Sequence, residues 1–205
     1  MGGIHGGEQV GCEVALRLMD AMEKRRLERG RLVIAPFACL PGVRKGDNIW
    51  GSVISKNQTW PGKADGNEKE RWYHALTEQL LPRATHVIDL HCFNHYKSTT
   101  SFAPVDDTES RELALAGDLP FTLLQQPQHY TQPRRSAGEG DSLPKITATS
   151  YCYQMGKPAV LIEFPGGLVN FSGGMINRRK PEPGLRAVRR MMINLEMLEP
   201  ESGSV

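Results

Sequence analysis

Near its start the chain runs Gly2-Gly3-Ile4-His5-Gly6-Gly7-Glu8, and this segment limits the fold more than any other. A histidine and a glutamate three apart, in a glycine-rich turn that enters a helix, can both reach one metal ion. Glycine lets the backbone turn tightly and lets a ligand approach closely. A third ligand is available in His91, which closes the apolar run Val87-Ile88-Asp89-Leu90-His91. Two imidazoles and one carboxylate match a catalytic zinc site that keeps one coordination position for water. Such a set predicts a metallohydrolase. The bland alternative for His5 and Glu8 is a solvent-facing turn with a glutamate favoured by the helix dipole.

The surrounding pattern predicts where these residues sit. Val10, Val14, Leu18 and Met22 recur every fourth residue, giving a helix over 8–29 with one apolar face. Lys24, Arg25, Arg26 and Arg29 gather at its C-terminal end, and Gly30 suits the residue after it. Residues 32–35 read as a short buried strand, and 36–66 as a long loop of the kind that is usually functional. A second helix is predicted over 67–81, with Trp72, Leu76 and Leu80 on one side and Pro82 as its stop. Strands follow at 85–91, 98–105 and 121–124, with a helix at 108–116 between the last two. A polar, Pro- and Gly-rich loop spans 125–145. A short helix at 147–155, an apolar strand at 158–164 and a final helix at 185–198 complete the chain. Helices alternating with short apolar strands predict a three-layer α/β/α domain with a mixed, mostly parallel sheet.

At 205 residues this makes one domain over 1–198, with a flexible tail at 199–205. Met1 stands directly before the Gly2–Glu8 turn, so no strand is available upstream to hold it, and a shortened N-terminus is one reading. A formal net charge of +2 with scattered arginines argues against nucleic-acid binding. No apolar stretch approaches the roughly 20 residues of a membrane span, and no signal peptide is visible. Cys12, Cys39, Cys92 and Cys152 form no CxxC pair, which fits reduced thiols in a cytoplasmic protein. Cys92 follows His91, yet adjacent strand residues face apart. That disfavours Cys92 both as a fourth ligand and as a nucleophile activated by His91.

Three further residues carry chemical interest. His91 sits at the C-terminal end of its strand, where α/β sheets place their ligands. Asp89, two residues earlier, shares its face and is placed to hydrogen-bond a ligand histidine. Glu163 ends the run Ala159-Val160-Leu161-Ile162, where a carboxylate is costly to bury without a partner. A general base beside an activated water explains it, and so does a strand-end ion pair with Lys or Arg.

Taken in order, Gly3-Ile4-His5-Gly6-Gly7-Glu8, Asn57-Gln58-Thr59-Trp60-Pro61-Gly62, Asp89-Leu90-His91 and Ile162-Glu163 resemble the succinylglutamate desuccinylase/aspartoacylase family, a branch of the zinc carboxypeptidase superfamily. The resemblance runs from residue 2 to about residue 170. It implies one zinc per chain on His5, Glu8 and His91, and Glu163 as the catalytic glutamate that takes a proton from water and delivers it to the leaving amine. Arg44 resembles the family arginine that stabilises the oxyanion, with a longer spacing to Asn57, itself a substrate-binding candidate. The family pattern has arginine after the asparagine, and this chain has Gln58. That arginine holds a substrate carboxylate by a bidentate pair, which glutamine does not replace. Arg134 and Arg135 in the second long loop are the candidates to supply the charge. Tyr151 and Tyr153 are candidates for pocket lining or for core.

The resemblance also implies an additional C-terminal β-rich segment in many relatives. Here about 40 residues follow Glu163 and they read as helical. The expected activity is hydrolysis of an amide bond in an N-acyl amino acid or small peptide-like substrate. Carboxypeptidase or murein-peptide amidase activity, and a catalytically impaired zinc- or ligand-binding relative, are the alternatives. The partner expected is a small-molecule substrate, with homo-oligomerisation left open.

Overall fold

A computed structural model describes residues 1–45, 60–93, 97–131, 146–165 and 181–200. Four strands form one mixed sheet in the order β1-β4-β2-β3: β1 Val87–Phe93, β2 Thr100–Pro104, β3 Phe121–Gln125 and β4 Ala159–Pro165. β1 and β4 are parallel, β2 and β3 are parallel, and β2 meets β4 antiparallel. Among the described residues seven α-helices accompany it: α1 Gln9–Glu23, α2 Leu40–Lys45, α3 Glu68–Gln79, α4 Thr108–Ala116, α5 Gln128–Thr131, α6 Ala148–Gln154 and α7 Glu182–Asn194.

Side chains alternate across a strand, and here the alternation divides labour between the two faces. Leu90 and Cys92 of β1, Val160, Ile162 and Phe164 of β4 and Ala103 of β2 are buried against α1, α4 and α7, where Val14, Leu18, Leu113, Val188, Met191 and Met192 meet them. The opposite face carries Val87, Asp89 and His91 of β1 with Ala159, Leu161 and Glu163 of β4. A second buried cluster covers part of it, with Ile4, Trp60, Tyr73 of α3, Ile146, and Ala148 and Cys152 of α6. Helices on both faces of a mixed sheet give the expected three layers.

The helix caps follow from local sequence. Asn67 accepts from the Glu70 N–H at 3.1 Å while Glu70 reaches back to the Asn67 N–H at 2.8 Å, a complete capping box. Asp107 and Thr147 cap α4 and α6 through the N–H of Ser110 and Ser150.

Several sequence expectations need adjustment. The first helix ends at Glu23 rather than running to residue 29. Leu27 packs against the main core, the Glu28 N–H bonds the Met197 carbonyl at 3.0 Å, and Arg29 pairs with Glu196. Docking on the segment after α7 therefore overrides the helical pattern. Residues 32–35 form no strand, although Leu32 and Ile34 pack on the core as a strand would. The 36–66 segment includes α2, and the loop after residue 125 begins with α5.

The N-terminal turn is held by β1 itself. The Leu90 N–H donates to the Met1 carbonyl at 2.8 Å, and Gly2 bridges Leu90 in parallel fashion. Gly3 adopts a left-handed φ of 71°, and a Cβ there would lie 2.8 Å from Cys12 Sγ. At the start of α1, a Cβ on Gly11 would stand 2.5 Å from the Leu90 carbonyl oxygen. The helix thus touches the strand backbone, and this contact sets where Glu8 lies relative to His91. Gly11→Ala gains helix propensity but forces the helix off the strand. Overpacking of about 1–3 kcal/mol, at roughly 2–4 °C per kcal/mol for a chain this size, is expected to lower the melting temperature by about 2–12 °C. An unchanged midpoint by scanning calorimetry would refute the close packing.

Candidate metal centre

Three elements bring the candidate ligands together. His5 lies on the turn paired to β1, Glu8 is the residue before α1, and His91 is near the C-terminal end of β1. Their ligand atoms all lie within 4.8 Å of one another. His5 Nδ1 is 2.6 Å from Glu8 Oε1, His91 Nδ1 is 2.9 Å from Glu8 Oε2, and the two Nδ1 atoms are 3.2 Å apart. Glu8 and His91 are buried. The Cys92 N–H donates to Glu8 Oε2 at 3.0 Å, so the carboxylate is also fixed by the strand backbone.

The donor set fits a metal. Two ring nitrogens 3.2 Å apart that face one carboxylate cannot both present protons without mutual repulsion, and a shared cation removes the conflict. Zinc bonds of about 2.1 Å at tetrahedral angles put ligand atoms ~3.4 Å apart, so expansion by some tenths of an ångström suffices. Behind His91, its Nε2 is 2.9 Å from Asp89 Oδ2. The contact is electrostatic, since neither Asp89 carboxylate oxygen makes an aligned hydrogen bond among the described residues. A carboxylate in this place fixes the imidazole tautomer and leaves Nδ1 as the electron-pair donor.

The electrostatics are strongly polarised. Burial opposes ionisation of Glu8, but the imidazoles of His5 and His91 outweigh it and hold the carboxyl at about 2. Burial likewise opposes the charged form of His91, yet Asp89 and Glu8 on either side raise it well above the usual histidine value. Glu163 behaves oppositely: burial, reinforced by Glu8 and Asp89 against His91, lifts it to about 8. It stands directly across from His91 in the parallel register, and Thr100 of β2 faces it from the other side. Its Oε2 is buried and has no hydrogen-bond partner among the described residues. The alternative of a strand-end ion pair with Lys or Arg has no counterpart among the described residues.

The remaining candidates divide. Arg44 lies exposed on α2, next to Val43 and Gly42, which pack on Gly3 and Gly6. Asn57, Gln58, Arg134 and Arg135 lie outside the described residues. Tyr151 is half-buried beside the second cluster, and the Tyr153 hydroxyl donates to Asp106 at 2.8 Å. Cys92 is fully buried on the apolar face, and burial followed by Glu8 pushes its thiol well up, which suits neither ligand nor nucleophile. Sequence reasoning missed the Cys92 N–H, because a backbone donor leaves no signature. It also missed Thr100 and Tyr73, whose relation to the site depends on sheet order and helix docking.

Residues 1–180 match the sequence profile of the succinylglutamate desuccinylase/aspartoacylase catalytic domain. The chain belongs to this family. Its fold is zinc carboxypeptidase-like, as two groups of solved structures show. An aspartoacylase family protein from Mesorhizobium loti, 24% identical, superposes with a TM-score of 0.72 over 98% of this chain and 57% of its own. The ectoine utilization protein EutE (DoeB) from Ruegeria pomeroyi, in its product-bound structure, is 23% identical with a TM-score of 0.71, over 98% and 57%. Murein-tripeptide amidase MpaA from Escherichia coli O157 is more distant, 13% identical with a TM-score of 0.52, over 98% and 81%. The chain spans a little over half the length of the first two. No curated protein matches it in sequence. Among the described residues no helix is long and apolar enough to cross a membrane.

Two outcomes follow from the charges. Asp89 and Glu8 favour the protonated form of His91, so a metal bound at its Nδ1 would have to displace that proton. Zinc titration near pH 7 is expected to release about one proton per site, read by calorimetry in buffers of different ionisation enthalpy, and heats independent of buffer would count against it. Glu163 binds its proton more tightly folded than unfolded, so the metal-free fold loses stability as pH rises from its ordinary 4.5 to about 8. Glu163→Gln is expected to raise the melting temperature of chelator-treated protein, by a margin that widens from pH 5 to 8. A margin constant with pH would contradict the burial argument.

Proposed function

We propose that the chain is the catalytic domain of a zinc-dependent amidohydrolase, acting on an N-acyl amino acid or a small peptide-like amide. The observation that carries this reading is the convergence of His5 Nδ1, the Glu8 carboxylate and His91 Nδ1 within 4.8 Å, with Glu163 in register beside His91. Family membership supports it, because members of the family are hydrolases acting on amide bonds.

His5, Glu8 and His91 would hold one zinc ion per chain. Zinc in such a site lowers the pKa of water towards about 7 and polarises an acyl carbonyl. Glu163 takes the proton from the attacking water and returns it to the leaving amine. Burial and the neighbouring carboxylates raise this carboxyl in the metal-free protein, which favours its carrying a proton. Asp89 keeps the proton of His91 on Nε2. Arg44 is our candidate for stabilising the oxyanion, and Asn57, Arg134 and Arg135 for holding the substrate. Arg134 and Arg135 would supply the charge that Gln58 lacks, and so decide whether an anionic acyl amino acid is accepted.

The reading takes residues 1–198 as one catalytic domain with 199–205 as a tail. The four cysteines are all free and buried, which suits a reducing compartment, and we assign the protein to the cytoplasm.

Metal analysis of purified protein should find about one zinc per chain, and His91→Ala should remove it. Across a panel of N-acyl amino acids and small peptides, Glu163→Gln should lower kcat by about 10²- to 10⁴-fold while zinc stays bound. Zinc without turnover in the parent protein would favour a binding domain that has lost catalysis. Absence of zinc would sink the reading.

A further inference from the structure

On the sheet face that carries His91, several buried polar atoms lack hydrogen-bond partners among the described residues. They include both carboxylate oxygens of Asp89 and the hydroxyl of Tyr73. Asp89 is fully buried, and Tyr73 is 1% exposed. Native interiors leave few such atoms unpaired, and small polar gaps between them usually hold water that makes about three hydrogen bonds.

The two residues share one face of the molecule. Tyr73 belongs to the buried cluster that contains Ile4, next to His5, and Val87, two residues before Asp89 on the same strand face. Its ring is fixed by an edge contact with Trp60, centroids 5.3 Å apart. On α3 the neighbouring Trp72 anchors the helix by donating from Nε1 to the Ala38 carbonyl at 2.7 Å. The ring is thus held inside an apolar cluster, and Cys39, Asp89 and Glu8 are near enough for their charges to act on its hydroxyl.

We propose that Tyr73 is a positioning residue for the metal centre: it holds Asp89 against His91 through ordered water between its hydroxyl and the Asp89 carboxylate. This would extend the chain of contacts behind the centre from His91 and Asp89 to Tyr73. Burial, then Cys39, Asp89 and Glu8, push the Tyr73 hydroxyl well above 10, so it keeps its proton and remains a donor. The Asp89 carboxylate, with its second oxygen satisfied, then presents the other to His91 Nε2 in one orientation. Partners of this kind typically change metal affinity 10- to 100-fold when removed.

The inference rests on the zinc reading for its consequence, but not for its direct test. In metal-free protein with 15N-labelled histidine, Tyr73→Phe is expected to shift the Nε2 resonance of His91 while leaving His86 and His129 in place. Tyr73→Phe retains the ring and its contact with Trp60, so the melting temperature should hold. In zinc competition against a chelator, Tyr73→Phe should weaken binding by about 10-fold. In an Asp89→Asn background the same substitution should have almost no further effect, because both act on one path. An unmoved His91 resonance would overturn the proposal, as would multiplicative losses in the double variant. Failure of the parent protein to bind zinc would overturn the metal reading alone, and the resonance test would then decide the role of Tyr73.

Discussion

A single buried carboxylate organises this molecule. Glu8 is taken out of water at the start of α1, which is costly for a lone ion. It is held there by His5 three residues before it, by His91 at the end of β1 and by the Cys92 N–H. These contacts tie the N-terminal turn, the first helix and an internal strand at one point. Their geometry depends on Gly11, where the helix lies directly on the Leu90 carbonyl. A side chain at that position would separate the helix from the strand and draw Glu8 away from both imidazoles.

The sheet extends that arrangement by alternation. Along β1 the residues that face α1, α4 and α7 are apolar, while Asp89 and His91 face the other way. Along β4 the pattern repeats, with Ile162 and Phe164 in the core and Glu163 opposite. The same two strands therefore build the core with one face and present Asp89, His91 and Glu163 on the other. This is why Cys92, adjacent to His91 in sequence, is core rather than site.

The polar face is where stability is given up. Glu163 sits beside two other carboxylates and is raised to about 8, and Asp89 is buried without an aligned hydrogen bond. On the opposite face, Leu90, Cys92, Ala103, Val160, Ile162 and Phe164 are apolar and closely packed. Perturbed titration and unsatisfied polar atoms concentrated on one side of a sheet are the usual mark of a functional surface. They also show why a tyrosine embedded in the second cluster matters, since its hydroxyl is buried without a hydrogen-bond partner among the described residues.

Sequence alone determined the ligand candidates and the strand that carries His91 and Asp89. Residue type and short spacing suffice for those, because HxxE in a glycine turn and a histidine two residues after an aspartate are local patterns. Helices α4 and α6 were likewise placed by the sequence to within a residue at each end, as was the strand carrying Glu163. The end of α1 was not, because Leu27 and Glu28 dock on the segment around Met197, and no local signal reports a contact so distant in sequence. Only the tertiary structure could bring His5 and His91 within 3.2 Å, set Glu163 opposite His91, or bury Tyr73 in one cluster with Ile4 and Val87. Those relations depend on strand order and on helix docking, which follow from burying two faces of one sheet at once rather than from any single stretch of chain.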